Sequence, residues 1–391
     1  MESSVAVTYE IDDMLTAAED LSQQIKSSLT LKANSIGILL AEGESEPDQL
    51  LPALKERLGI EIIGCTVTAQ ISSQGYHRLS NSLLVLSADD CRFSAQVSEE
   101  LDENYAAQLT RAYEKARDRL NGEEVQAVFL FSIVSDYFTP DDTLAVISRL
   151  AGGKPVFGGN AADYYRIDDI RVFAEGQAFR HNAVLLLLSG NIKPAFIIRN
   201  IPRSSLGTSI VTKAHGGTVE TIDNMTVYEY MQSHKLDVET DLSLFFAPLS
   251  VQYADQDDSD EPVCRPFYTM DRSTGFATSH GKIPQGATVS IRLIQTDDIK
   301  KATREAVNYI AGQIKNPPPG YKYSTVFIAS CAIRHTVLGL ENAFEGEFIK
   351  EMLPSITTAG FYAYGEYCPT SIKSGVAHNM AHNLSIALCL F

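Results

Sequence analysis

The chain has 391 residues, of which 45% are apolar and 21% charged, which is ordinary globular usage with room for two sizeable cores. Its formal net charge of −17 would repel a phosphate backbone, so we expect no nucleic-acid partner. No apolar run approaches the ~20 residues of a membrane helix, and the first ten residues lack signal-peptide features, so we expect a cytoplasmic protein without membrane insertion.

The first 90 residues predict alternating strands and helices. The predicted elements are, in chain order, a strand at 5–9, a helix at 14–29, a strand at 36–40, a helix at 50–58, a short strand at 60–63 and a strand at 83–86. Both helices show apolar residues at helical spacing, and Gly59 is suited to cap the second helix. A glycine-marked turn at Gly64 precedes the closing strand, so the segment follows a β-α-β-α-β-β order.

This order recurs along the chain. A second copy runs from the helix at 105–120 to the strand at 184–188, and a fourth runs from the strand at 289–293 to the one at 384–390. The third copy, 222–290, is degraded. In it, a strand at 242–246 is followed by an acidic tract at 253–261, where the crossover helix should lie, and strands return at 266–270 and 286–291.

We therefore predict an α/β fold with a two-domain architecture, built from four tandem mixed β-α-β-α-β-β repeats whose sheets are flanked by crossover helices. Residues 1–220 would form the first domain, with two repeats. Residues 221–391 would form the second, with the degraded third repeat and the fourth, and the boundary would lie near 216–226.

Cysteine and glycine spacing exclude several common sites. The six cysteines lack CxxC spacing, so we expect free thiols and neither a disulfide scaffold nor a structural zinc site. No glycine-rich phosphate-binding motif follows a predicted strand, which argues against a nucleotide site. Gly64 is interpreted as a structural glycine that permits close strand packing.

Polar residues concentrate where predicted strands end, most densely in the fourth copy. The predicted ligand-binding residues there are Cys331, Arg334, Tyr362, Tyr364 and Glu366. Arg334 could bind a carboxylate and Glu366 an ammonium group, which together would recognise an amino acid. The alternative is an internal Arg334–Glu366 ion pair. Asn160 and Asp163 mark a matching N-terminal site.

Several motifs resemble those of FIST-domain proteins. They are Gly64-Cys65-Thr66, Gly158-Gly159-Asn160-Ala161-Ala162-Asp163, Ser330-Cys331 with Arg334 and Leu338-Gly339, and Gly360-Phe361-Tyr362-Ala363-Tyr364-Gly365-Glu366. The resemblance covers about 36–391, in the family's order of a FIST N and then a FIST C part. It implies an intracellular, non-catalytic sensory module that binds small ligands such as amino acids and occurs beside kinase, cyclase, chemotaxis or F-box modules.

Two departures from the family pattern bear on function. Gln70 stands where the C-terminal copy has Glu366, which puts a ligand role for Gln70 in doubt. No effector module remains outside the repeats, so the expected output passes through a partner protein, such as a kinase or cyclase, or through a change in oligomeric state. A homodimer stays open as an alternative to a monomer.

Three other functions stay open as alternatives. Some family members resemble haem proteins that sense nitric oxide, and His335, beside the predicted pocket, is the axial ligand to test. A cysteine-dependent hydrolase would use Cys331 as the nucleophile and His335 as the base. His378 and His382 have metal-ligand spacing only on a helix, whereas Gly375 and the following apolar run predict a loop and strand.

Overall fold

The computed structural model describes residues 1–164, 166–201, 207–236, 238–240, 245, 247–253 and 263–391. The first unit of the fold contains eight elements: β1 (Glu2–Thr8), α1 (Met14–Ser28), β2 (Asn34–Glu42), α2 (Pro47–Leu58), β3 (Glu61–Val67), β4 (Gln70–Ser72), β5 (Gly75–His77) and β6 (Asn81–Ala88). The four main strands lie in the order β1-β6-β2-β3, with β2 and β3 parallel. Gly59 caps α2 in the left-handed conformation, as predicted.

The second unit repeats the first, element by element. It contains β7 (Cys91–Val97), α3 (Tyr105–Asp118), β8 (Val125–Ser132), α4 (Pro140–Leu150), β9 (Val156–Asn160), β10 (Val172–Ala174), β11 (Gln177–Phe179) and β12 (Val184–Gly190). Its main strands lie in the equivalent order β7-β12-β8-β9.

The third unit is split by an insertion. It contains β13 (Ala195–Arg199) and then, after the insertion, α6 (Thr296–Lys315), β22 (Thr325–Cys331), α7 (Ala332–Leu338), α8 (Phe344–Met352), β23 (Thr357–Ala363), β24 (Glu366–Lys373), β25 (Val376–His382) and β26 (Ile386–Leu390). The main strands again lie in the order β13-β26-β22-β23. The strand predicted at 289–293 forms at Thr288–Ile291, but it belongs to the insertion, and β13 is the first strand of this unit.

The insertion forms a separate antiparallel sheet. It contains β14 (Ser209–His215), β15 (Thr218–Ile222), β16 (Met225–Thr226), α5 (Val227–Ser233), β17 (Leu249–Gln252), β18 (Val263–Arg265), β19 (Phe267–Asp271), β20 (Phe276–Ser279) and β21 (Thr288–Ile291). The expected third β-α-β-α-β-β repeat is therefore corrected to this inserted sheet. Most of the strand predicted at 242–246 and most of the acidic tract lie outside the described residues.

In each unit, one hairpin pairs with the sheet of another unit. The hairpin β4–β5 of the first unit pairs with β23, β10–β11 of the second pairs with β3, and β24–β25 of the third pairs with β9. The three sheets have six strands each only because of this exchange. It interleaves the predicted domains, since β13 and two of the exchanged hairpins lie in sheets of the other half of the chain.

The three sheets share one core, and helices cover their outer faces. Along β2, Ile38 and Leu40 face the shared core while Leu39 and Ala41 face α1 and α2. In the shared core, the rings of Phe129 and Phe327 lie 5.5 Å apart, and Phe131 and Phe361 lie 6.0 Å apart. The carboxyl ends of β3, β9 and β23 consequently converge.

Glycine permits the close packing of the parallel strands. A Cβ on Gly64 would lie 1.8 Å from the carbonyl oxygen of Leu39, and one on Gly158 would lie 2.1 Å from that of Leu130. Their φ angles of +147° and +141° also favour glycine. This supports the structural interpretation of Gly64.

A capping box fixes the start of α4. The Thr139 side chain accepts a hydrogen bond from the Asp142 N–H, and the Asp142 carboxylate accepts one from the Thr139 N–H. We expect Thr139→Ala to lower the free energy of unfolding by about 1 kcal/mol, measured by urea denaturation. Gln295→Ala, at the start of α6, removes no capping bond and should change it far less.

Candidate functional site

The convergent strand ends form a hydrogen-bonded junction. Asn160 donates its backbone N–H to the Gly365 carbonyl at 3.0 Å, and its carbonyl accepts the Tyr364 N–H at 3.2 Å. The Asn160 side chain donates to the Tyr364 carbonyl and accepts from the Tyr367 hydroxyl at 2.6 Å. Asn160 thus has a hydrogen-bond partner at each of its backbone and side-chain polar atoms, and these bonds join β24 to β9.

Asp163 joins the two predicted sites. The Tyr364 hydroxyl donates to Asp163 Oδ1 at 2.6 Å, and the same oxygen accepts the N–H groups of Arg166 and Ile167. Asp163 Oδ2 has no hydrogen-bond partner among the described residues, and the side chain is fully buried. The N-terminal Asp163 and the C-terminal Tyr364 therefore belong to one arrangement.

Arg334 makes a buried ion pair with a residue that the sequence analysis did not consider. Its Nη2 lies 2.6 Å from Glu345 Oε1, and both side chains have no exposed surface. The guanidinium also donates to the Thr303 hydroxyl and to the carbonyls of Ile299 and Leu384. The ion pair considered as the alternative, Arg334–Glu366, is thus corrected to Arg334–Glu345.

The carboxyl group of Glu345 accepts four hydrogen bonds, two of them from Arg334. Besides Arg334, it accepts hydrogen bonds from the hydroxyls of Thr303 at 2.6 Å and Ser330 at 2.8 Å. Burial alone would raise the pKa of Glu345, but the charge of Arg334 and these hydrogen bonds hold it below its ordinary value. The buried Tyr362 interacts with the same carboxylate. Arg334, Tyr362 and Glu345 therefore form a structural polar cluster between the third sheet and its helices.

Glu366 is buried without a cationic partner bonded to it. Its Oε2 accepts hydrogen bonds from the Ser385 hydroxyl at 2.6 Å and the Ser385 N–H at 3.3 Å. Burial raises the pKa of Glu366 to about 8, and these hydrogen bonds only partly oppose the rise. The first unit has an amide at the equivalent place, where Gln70 bonds with Ser80.

Cys331 and His335 do not form a catalytic pair. His335 Nε2 lies 2.7 Å from the Tyr76 hydroxyl, and no hydrogen bond joins His335 to the Cys331 thiol. Burial, and then the charge of Glu366, raise the pKa of Cys331 well above its ordinary value, which disfavours the thiolate. Cys331 thus lacks the activation that a hydrolase needs.

The surroundings of His335 do not fit a haem. The imidazole packs between Tyr76 and Tyr362, with ring centroids 5.7 and 5.0 Å away, and its Nε2 is engaged by Tyr76. Burial lowers the pKa of His335 to about 4. An axial ligand needs its free nitrogen directed at space for a flat macrocycle, and that nitrogen faces a tyrosine instead.

His378 and His382 do not have the geometry of a helical metal site. His378 and His382 lie on the strand β25, as predicted, so they lack helical ligand geometry. Within the described ranges, no cluster of three or more His, Cys, Asp or Glu side chains is arranged to hold a metal ion.

A cleft of about 400 Å³ opens between the junction and the inserted sheet, and we call it the junction cleft. Asn160 and Tyr364 lie at its junction side. The loop and helix start at 134–142 form a second side, and the inserted sheet contributes Tyr268, His280 and Lys282. The volume lies in the ~300–1,000 Å³ range of small-molecule sites.

Most charges at the junction cleft are already paired. The Lys282 ammonium group bonds to Asp142, and Arg265, from β18, bonds to Asp141 at 2.7 Å. The Asp136 carboxylate, at the rim, has no hydrogen bond or ion pair with another described residue. Burial lowers the pKa of His280 to about 4, so the imidazole is neutral at pH 7. The cleft therefore favours a cationic group over an anionic one.

Aromatic rings line the same space. The rings of Tyr268 and His280 stack with centroids 4.3 Å apart, and Tyr137 and Tyr268 retain 64% and 37% of their exposed surface. Tyrosine faces attract an ammonium group through cation–π contacts. The exposed rings therefore reinforce the preference set by Asp136.

The junction cleft lies at the predicted edge of the fold, but part of its lining comes from residues that were not predicted. Of the predicted ligand residues, Asn160 and Tyr364 line the junction cleft and Cys331 lines a smaller adjoining cavity, whereas Arg334, Tyr362, Glu366 and Asp163 line neither. Tyr268, His280 and Lys282 were missed because they belong to the insertion, where the sequence predicted strands at 266–270 and 286–291 but no ligand-binding residues.

Comparison with known proteins identifies two domain families. A family model described as the FIST N domain matches residues 35–225, and one described as the FIST C domain matches residues 225–369. A search of curated sequences finds no match. A solved structure described as cyanuric acid hydrolase aligns over 99% of this chain and 98% of its own, at 10% identity and a TM-score of 0.31. A score at this level is not evidence of a shared activity.

Proposed function

Because the chain belongs to the FIST family, whose domains are sensory domains of signal transduction proteins predicted to bind small ligands, we propose that it senses an amino acid or a related amine in the junction cleft. The observation that carries this proposal is the unpaired Asp136 carboxylate beside exposed tyrosine rings in a cleft of about 400 Å³. Charge and ring faces together suit an ammonium group.

The ligand's amino group would lie between Asp136 and the Tyr268 ring. Tyr268 is close enough to feel this charge, since burial and then Asp136 raise its pKa. No unpaired lysine or arginine among the described lining residues is available for a carboxylate, since Lys282 is bonded to Asp142. The proposal therefore includes decarboxylated amines as well as amino acids.

We further propose that the signal passes to a separate protein, such as a kinase or cyclase, in the cytoplasm. All six cysteines are buried free thiols, as suits a reducing compartment. Among the helices that the structure describes, none combines the length and apolar character needed to cross a membrane. A haem sensor and a cysteine hydrolase are weaker candidates, given the surroundings of His335 and Cys331.

Ligand binding should depend on Asp136. We expect one amino acid or amine to raise the melting temperature of the wild-type protein, and Asp136→Asn to weaken its binding roughly 10- to 100-fold, because a charge-assisted hydrogen bond is lost. A thermal-shift screen of amino acids and their decarboxylated amines, followed by calorimetric titration, measures both effects.

Asp12→Asn is the matched control, since it removes the same charge from an exposed loop of the first unit. Equal affinities of both variants would contradict the role of Asp136. Absence of any stabilising amine or amino acid would refute the proposed ligand class.

A further inference from the structure

A second, smaller cavity adjoins the junction cleft. Its volume is about 50 Å³, and it shares Val134, Ile167, His280 and Tyr364 with the cleft. Because four lining residues are common to both, the small cavity lies beside the cleft as a side pocket of the same site.

The side pocket is almost entirely apolar. Ile333, Ala363 and the Cys331 thiol, which is 3% exposed, form part of its wall. A buried thiol with a raised pKa behaves as a small apolar group. The Asn383 side-chain oxygen accepts a hydrogen bond from Arg265 Nη1 at 3.0 Å, so it is not free to bind a ligand. A charged or strongly polar group would lose its hydration there without compensation.

We propose that the side pocket holds the aliphatic side chain of the ligand whose amino group lies beside Asp136. This inference rests on the proposed function and narrows it to ligands with a short aliphatic chain. A volume of about 50 Å³ is several times the ~10–15 Å³ that a single water molecule requires in a cavity, so the side pocket has room for a short aliphatic chain. Cys331, Ile333 and Val134 would then determine chain-length specificity.

The test is a series of ligands that differ only in chain length. Glycine, alanine, 2-aminobutyrate, norvaline and norleucine are titrated calorimetrically into the wild-type protein. If decarboxylated amines are the better ligands, the corresponding n-alkylamines replace them. We expect affinity to rise about fourfold with each methylene group until the side pocket is full, and to fall for longer chains.

Two variants change the pocket in opposite directions. Ile333→Ala enlarges it, and the chain length with the highest affinity should increase by at least one carbon. Val134→Leu narrows it, and that optimum should decrease. Both side chains are partly exposed, which limits the cost to folding. Leu340→Ala, at a fully exposed leucine outside both cavities, should leave the optimum unchanged.

The outcomes separate this inference from the proposed function. Affinities that are independent of chain length, or an optimum that neither variant shifts, would overturn the side-pocket assignment while leaving Asp136 and the amino group in place. Absence of binding by every member of both series would overturn the proposed ligand class and the inference with it.

Discussion

Replacing Glu366 with glutamine is expected to raise the free energy of unfolding at pH 9 by on the order of 5 kcal/mol. Burial raises the pKa of this carboxyl group from 4.5 to about 8, so the folded state keeps a proton that the unfolded state releases. The wild-type protein should therefore lose stability as the pH rises from about 4.5 through 8. Glutamine is neutral at every pH and removes this loss.

The first unit shows that glutamine fits this position, and it also supplies the control. Gln70 occupies the place equivalent to Glu366, and its amide both donates to the Ser80 carbonyl and accepts from the Ser80 hydroxyl. An amide therefore fits this hairpin start. Gln70→Glu should introduce the same pH dependence in the first unit. Urea denaturation between pH 5 and 9 measures the free energy of unfolding of both variants. If that of Glu366→Gln falls with rising pH as steeply as that of the wild type, the assigned role of Glu366 is wrong.

Breaking the Arg334–Glu345 pair is expected to cost about 3–5 kcal/mol in either single variant, Arg334→Met or Glu345→Leu. Each change leaves one charge buried without its partner, in a cluster with no exposed surface. The double variant removes both charges and should recover much of the loss. Arg334→Ala should likewise destabilise the fold, because it leaves the Glu345 carboxylate buried without its partner.

The stabilisation by the Arg334–Glu345 ion pair should be lost at acid pH. Since the pKa of Glu345 in the folded protein lies below its ordinary value, the stabilisation by the ion pair is present above pH ~4.5 and is lost as the pH falls through the folded-state pKa. A double-mutant cycle by urea denaturation at pH 7 and at acid pH checks both statements. Single losses that simply add in the double variant would show that the two charges are not coupled.

Local patterns predicted local structure well. The apolar spacing from Met14 onward predicted α1, Gly59 was correctly placed as a helix cap, and the repeated glycines Gly64 and Gly158 lie at equivalent positions in β3 and β9. These features depend on residues close in sequence or on backbone geometry. These patterns are visible in the sequence because each strand or helix needs them for its own conformation.

Long-range pairings were not predictable from one sequence. The hairpin strands have as few as three residues, too short for a periodic signal, and pair with strands far along the chain. Almost 100 residues separate β13 from α6, which hid the split of the third unit. Glu345 was missed as the partner of Arg334 because it lies on α8, and the predicted repeat order assigned no particular residues to that helix.

At the candidate site, the strand ends were correctly placed at one edge, since parallel strands bring their carboxyl ends together. Several residues that line the junction cleft come from the insertion, and they could not be identified without knowing where the inserted sheet lies. Its docking through Arg265 and Asp141 creates the junction cleft from two surfaces that are distant in sequence. No spacing rule connects such residues.

The hairpin exchange also constrains the order of folding during synthesis. The second sheet lacks two strands until β24 and β25 have left the ribosome, although β7, β8, β9 and β12 were made some 200 residues earlier. Until then β9 is an edge strand with unpaired backbone groups. Unwanted pairing between nascent chains can begin at such an edge. Completion of the second sheet therefore depends on β24–β25, which is synthesised after every strand of the first two units.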